Sequence, residues 1–238
     1  MHNSAKSLIF APHPDDEILS CGGYILKELS EGNEVKVVLL TAGSTGARKG
    51  LDVDDEKFTE IRCSEFENAI NELGVSEHEI FGCDNDFYTG ADETPLFHAS
   101  VIKRVIDSIK SFKPEIIFCP QPNDTHRVHR AVNLLVKECI YHCRTGAYNS
   151  HSDGKLPEAN LFFFESPESD MKPEAVHVCD ISDFFEKKVE IFKKCYPDQA
   201  VEPFVNWPKL RAEYWGEKAG FKYGEAFKPA GIAKYLIT

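Results

Sequence analysis

The chain has 238 residues, 42% hydrophobic and 28% charged, which is the balance of a folded protein with a sizeable core and excludes a disordered segment. A formal net charge of -12 and the lack of any Lys/Arg run set phosphate backbones aside as partners, so no nucleic acid is expected. No apolar stretch approaches the roughly 20 residues that cross a bilayer, and the opening MHNSAKSLIFAPHPDDE lacks the regions of a signal peptide; the expectation is a cytoplasmic chain with no membrane partner.

Residues 6–11 (KSLIFA) form a short apolar run that predicts a buried strand. A helix is predicted from about 17 to 31, stopped by Gly32, and a second buried strand over 34–41 (EVKVVLLT). The Gly-rich stretch 42–50 reads as a loop at the rim of a pocket, since it follows the second strand and matches neither GxGxxG nor a Walker loop. Residues 54–73 predict a long amphipathic helix whose acidic start suits the helix dipole. A weak strand at 78–81, a helix over 96–112, a strand over 115–120 and a helix from about 126 to 142 follow. Residues 144–160 are polar and rich in Gly and Pro, a loop. Strands at 161–165 and 175–181 and helices over 183–195 and 207–219 complete the chain. The aromatic residues crowded between Phe204 and Phe227 read as core beneath an irregular tail. The eight cysteines form no CxxC pair and read as free, mostly buried thiols in a reducing compartment.

Strands alternating with helices across short loops predict an α/β fold: a Rossmann-like, doubly wound, mostly parallel sheet, one domain over 1–238 with a C-terminal extension. In such a sheet the first three strands grow one way and the fourth returns beside the first. Ligands bind outside the carboxyl ends of that pair. Here those ends are the loops after Ala11 and Pro120, and both are crowded with metal-binding side chains.

His13 and Asp16 lie three apart at the entry to one helix, with Asp15 between them; His126 and His129 lie three apart at the start of another. Alone, either pair is an ordinary helix start. Together, two histidines and one carboxylate make a common catalytic zinc set with an open position for water, whose pKa the metal depresses toward ~7. The spare carboxylate beside it can take the proton. A bound cation also removes the repulsion that adjacent Asp15 and Asp16 impose on one another.

These residues carry a family resemblance. Residues 12–17 (PHPDDE) resemble the (A/P)HPDDE signature of the LmbE-like or PIG-L N-acetylglucosaminyl deacetylases. Residues 124–132 (DTHRVHRAV) resemble that family's second motif, usually HxDHRAV. Arg62 and Glu65, with Leu73-Gly74, resemble its RxxE helix; Asp84-Asn85 its aspartate after a strand; and 180–199 and YGEAF its weaker tail motifs. The resemblance covers nearly the whole chain. It implies one Zn2+ per chain, other divalent ions being compatible, held by His13, Asp16 and His129. It implies Asp15 as general base, His126 as the group that stabilises the oxyanion, and Arg62 and Asp84 as contacts to substrate hydroxyls or a phosphate. The implied activity is removal of an acyl group, acetyl above all, from the nitrogen of an amino sugar or a small molecule containing one, with oligomeric state left open. Three positions depart from the pattern. Val128 replaces the usual Asp, leaving Asp124 as the carboxylate available to support His126. The loop at 43–46 lacks a common acidic residue, and Cys195 stands where histidine is frequent. Two other readings stay open on the same ligands: a metal-dependent phosphoesterase or non-sugar amidase, with two metals favouring the former, and a weakly catalytic sugar-binding module.

Overall fold

The computed structural model describes residues 4–43, 53–83, 88–89, 96–146, 159–169, 171–174, 176–201 and 204–231. Its frame is the expected alternation: β1 (Lys6–Ala11), α1 (Asp16–Ser30), β2 (Glu34–Thr41), α2 (Asp55–Leu73), β3 (Glu77–Cys83), α3 (Ala99–Phe112), β6 (Ile116–Pro120) and α4 (Arg127–Thr145). Between β3 and α3 lie two short strands, β4 (Tyr88–Thr89) and β5 (Leu96–Phe97), which pair with each other. The first residues of the helix predicted from 96 are therefore strand. The chain ends with β7 (Asn160–Phe164), β8 (His177–Asp180), α5 (Phe185–Cys195), α6 (Trp207–Ala219) and β9 (Gly224–Pro229).

The seven-stranded sheet has the order β3-β2-β1-β6-β7-β9-β8. β1 lies between β2 and β6 and is parallel to both, in the registers Lys6↔Glu34 and Ser7↔Ile116. The strand order thus reverses between β1 and β6, as the alternation predicts. The C-terminal extension prolongs the same sheet. β7 runs parallel to β6, whereas β9 is antiparallel to both β7 and β8.

Parallel strands covered on both faces read as continuous apolar runs, and the pleat then sorts their residues. Leu8 and Phe10 of β1 and Val38 and Leu40 of β2 join a core with Val105, Ile109, Val132 and Val136 from α3 and α4. Ile9, Ala11, Val37 and Leu39 face the opposite way, into a core with Ile18, Phe66, Ile70 and Phe192 from α1, α2 and α5. The site described below therefore stands on strands held from both sides.

β9 is absent from the expected elements because its sequence hides it. Glu225 is 5% exposed, and its carboxylate accepts from Gly23 N at 2.8 Å, Tyr24 N at 2.7 Å and Lys188 Nζ at 2.7 Å. A buried charge with three donors does the anchoring that an apolar side chain does elsewhere. It ties the last strand to α1 and α5. Gly224 is required here: a Cβ on it would lie 2.6 Å from Val178 Cγ1 and 3.1 Å from Gly216 N, where α6 crosses the strand. The expectation that the C-terminal aromatics are core holds in part: Trp215, Tyr223 and Phe227 are buried, in or beside α6 and β9, whereas Phe204, Trp207 and Tyr214 are half-buried and Phe221 is exposed. Seven cysteines of the described residues are free, five of them buried. No helix among the described residues is long and apolar enough to cross a membrane.

Candidate metal centre and active site

The chain leaves β1 through Pro12, whose carbonyl oxygen accepts from both N and Oγ1 of Thr41 at the end of β2, at 3.0 and 2.9 Å. Asp16 opens α1 and folds back: its Oδ2 accepts from His13 N at 2.9 Å. This local turn sets the His13 ring beside the Asp16 carboxylate. From the other strand end, His126 caps α4 and His129 sits in its first turn, so both imidazoles face the same crevice.

Three ligand atoms meet there. His13 Nδ1 lies 3.2 Å from His129 Nε2 and 3.4 Å from Asp16 Oδ2, and His129 Nε2 lies 3.3 Å from Asp16 Oδ2. Tetrahedral coordination with bonds of ~2.0–2.2 Å requires ligand separations of about 3.3–3.6 Å. The triangle has that size, and its atoms come from two imidazoles and a carboxylate, donors suited to zinc and related divalent ions. His129 Nδ1 is 2.9 Å from Asp124 Oδ2, which also accepts from Ser166 Oγ at 2.5 Å. A carboxylate behind an imidazole fixes its tautomer and aims its other nitrogen at the ion.

The electrostatics follow from burial. Burial opposes the charge on Asp16, but His129 and His13 outweigh it and hold that carboxyl well below the usual carboxylate range. Burial likewise opposes the His129 imidazolium, which Asp16 and Asp124 nonetheless raise to about 10. His13 is lowered, by burial first. A proton on His129 Nε2 offsets the Asp16 charge; a divalent ion offsets it while engaging His13 as well.

Asp15 stands beside this triangle in a left-handed conformation, φ 99° and ψ -25°. Such backbone costs a non-glycine residue about 1–3 kcal/mol and persists only where neighbours enforce it. Here Asp15 N donates to Glu17 Oε2 at 3.1 Å, and Tyr196 Oη donates to Glu17 Oε1 at 2.6 Å. Arg62, 6% exposed, donates to the Pro14 carbonyl oxygen, to Asp15 Oδ2 at 3.0 Å and to Glu65 Oε2 at 2.7 Å. Burial pushes Asp15 up to about 7 against the pull of Arg62, and Glu17 up to about 8.

The His126 ring lies 4.7 Å, centroid to centroid, from both His13 and His129. Burial and the two neighbouring rings push it down to about 4, so it is a neutral imidazole near pH 7. Its Nδ1 is buried without a hydrogen-bond partner among the described residues. Asp124 does not support this ring: it accepts from His126 through the backbone N at 2.7 Å, and its side chain serves His129 instead. Val128 points into the core with Leu8 and Val132.

The structure thus gathers His13, Asp15, Asp16, His126 and His129 at one crevice, with Arg62 beneath Asp15. Asp84, expected to contact substrate, and most of the Gly-rich loop lie outside the described residues. Sequence reasoning did not find Glu17 and Tyr196 as the props of Asp15, Ser166 as a partner of Asp124, or Glu168. A Glu168 carboxylate oxygen lies within 4.8 Å of ligand atoms of both His129 and Asp124. The one available signal was topological, since residues 165–169 follow the strand next to β6.

Comparison with known proteins agrees with this geometry. A family model described as PIG-L, GlcNAc-PI de-N-acetylase, matches residues 8–140, a span that includes both ligand-bearing segments. A diacetylchitobiose deacetylase of Thermococcus kodakarensis is 27% identical over 234 residues, covering 94% of this chain and 82% of that protein. Among solved structures, the N,N'-diacetylchitobiose deacetylase of Pyrococcus horikoshii superimposes with a TM-score of 0.78 at 22% identity, covering 98% of this chain and 88% of that one. The 4-carboxy-2-hydroxymuconate hydratase GalB of Pseudomonas putida KT2440 superimposes with a TM-score of 0.79 at 20% identity, covering 98% of each. The last two share the fold and are named for different activities, so the reaction has to be argued from the site. With its sequence matched over more than half its length and both motifs inside the match, the chain belongs to the PIG-L family of GlcNAc-PI de-N-acetylases.

Proposed function

We propose that the chain is a zinc-dependent N-deacetylase that removes acetyl from an amino sugar, and the observation that carries this reading is the 3.2–3.4 Å triangle of His13, Asp16 and His129 with the Asp15 carboxylate alongside. A divalent ion held by those three residues would acidify water and polarise the amide carbonyl. Asp15 accepts the proton of the attacking water as its oxygen bonds to the carbonyl carbon. The same carboxyl then delivers that proton to the nitrogen as the C–N bond breaks, releasing acetate and a free amine. Arg62 and the Glu17–Tyr196 pair keep Asp15 aimed during both transfers. His126, neutral, donates an N–H to the oxygen on which negative charge grows. Asp124 holds the His129 ring in register.

The spacing behind His129 favours one ion over two. Asp124 Oδ2 and His129 Nδ1 are 2.9 Å apart, the distance of a hydrogen bond and tighter than the ~3.3 Å that two ligands of a common ion keep. This supports the amidase chemistry over a two-metal phosphoesterase. The test is acetate release from N-acetylglucosamine and N,N'-diacetylchitobiose by zinc-loaded protein, with metal content measured in parallel. One metal per chain is expected, and Asp15→Asn should keep it while losing about 10²–10⁴-fold in kcat. A metal-loaded wild type that frees acetate from no N-acetyl sugar overturns the reading.

A further inference from the structure

The turn that follows β7 is stitched to the segment bearing His126 and His129. Ser166 Oγ donates to Asp124 Oδ2, and Thr125 donates to the Glu168 carbonyl oxygen through N at 3.1 Å and Oγ1 at 2.8 Å. Within the turn, Ser166 N donates to Ser169 Oγ at 2.9 Å, and Ser169 Oγ donates to the Ser166 carbonyl oxygen at 3.0 Å. A segment fixed this way presents its side chains at defined positions. It presents the half-buried Glu168 toward the centre, close to His129. Asp124 has both carboxylate oxygens engaged, by His126 N, His129 Nδ1 and Ser166 Oγ. Among the described residues, no other residue donates a hydrogen bond to the Glu168 carboxylate. That carboxylate retains acceptor capacity and lies near enough to Asp15 and Asp16 for their charges to act on one another.

The charge balance points the same way. Among the described residues, Asp15, Asp16, Asp124 and Glu168 gather around the centre with the Arg62 guanidinium. With Glu65 on Arg62 and the Arg130 guanidinium on the Asp124 and Thr125 carbonyl oxygens also counted, one divalent ion and two guanidinium groups still leave one negative charge in excess against the five carboxylates. A carboxylate with free lone pairs suits O–H and N–H donors and repels anions.

We propose that Glu168 contacts the substrate, accepting hydrogen bonds from hydroxyl or amine groups of the sugar beside the scissile amide, and that its charge selects uncharged or cationic N-acetyl amino sugars over those carrying phosphate or carboxylate near that amide. The inference rests on the deacetylase reading for its substrate and on geometry for its residue. Glu168→Gln and Glu168→Ala are compared with wild type on N-acetylglucosamine and its 6-phosphate, and acetate affinity is measured by calorimetry on the zinc-loaded proteins. Loss of one charge at this range is expected to shift the kcat/KM ratio toward the phosphorylated sugar by about 10-fold in Glu168→Gln, and to tighten acetate binding by a similar factor. Glu168→Ala should raise KM for the neutral sugar with metal content unchanged. A ratio and an acetate affinity within about 2-fold of wild type overturn the proposal, as does loss of zinc in Glu168→Gln, which makes the residue a ligand. If no variant deacetylates but acetate binding tightens as expected, the deacetylase reading falls and Glu168 keeps its assigned place. If all variants deacetylate with unaltered preference, the reverse holds.

Discussion

Replacing Tyr196 with Phe removes one oxygen from a fully buried ring and leaves its packing in place. That oxygen donates to Glu17 Oε1 at 2.6 Å, and the other oxygen of Glu17 accepts from the backbone of Asp15, which sits at φ 99°. Glu17 has no exposure, so water cannot replace the lost donor. A buried acceptor left without its hydrogen bond costs about 1–3 kcal/mol, and each kcal/mol moves Tm by roughly 2–4 °C in a chain of this size. The expected drop is therefore about 2–12 °C, measured in chelated protein so that metal affinity does not contribute. Zinc-loaded Tyr196→Phe should lose about 10-fold or more in kcat, since small misplacements of a catalytic group are expensive. KM should hold, because Tyr196 lies beneath Asp15 in the core and away from the crevice. A Tm and a kcat both equal to wild type would refute the idea that the Glu17–Tyr196 pair enforces the Asp15 backbone.

Three further outcomes follow from the geometry. Asp124→Asn weakens the grip on the His129 ring and should reduce metal affinity about 10–100-fold in a chelator competition; unchanged affinity would detach Asp124 from the centre. Arg62→Met should lower kcat with KM held, because the guanidinium donates to Pro14, Asp15 and Glu65; a rise in KM alone would make it the substrate contact that the family resemblance implies. In Glu79, burial opposes ionisation, but Lys36 at 2.6 Å and Ser108 at 2.7 Å outweigh it and hold the carboxyl below its ordinary 4.5. The stability it contributes is thus present above about pH 4.5 and lost as pH falls further. The Tm gap between wild type and Glu79→Gln should close on acidification toward pH 3, and a constant gap would refute this.

Much of the frame was legible because parallel strands buried on both faces announce themselves as apolar runs, and β1, β2 and β6 do so. The gathering of the candidate ligands was legible for a related reason: they cluster within short segments at two strand ends that the topology brings together. What escaped is instructive. β9 is anchored by the buried carboxylate of Glu225, and no hydrophobic period marks such a strand. β4 and β5 are two residues each, below the length at which a period exists. Asp124, the carboxylate available to support His126, reaches the His129 ring instead, since spacing along a helix start cannot say which nitrogen a side chain will reach. Tyr196 lies 179 residues from Glu17, and no local pattern links a hydroxyl to a carboxylate across that distance.

His13 and His129 are separated by 116 residues, and their strands become neighbours only when β6 docks against β1. During synthesis the first ligand pair emerges well before its partner, and two donors without the third make a weak chelator. Contacts of such long sequence range form late. A metal held by this triangle would therefore be captured only as the sheet is completed, marking a finished molecule rather than helping to nucleate one.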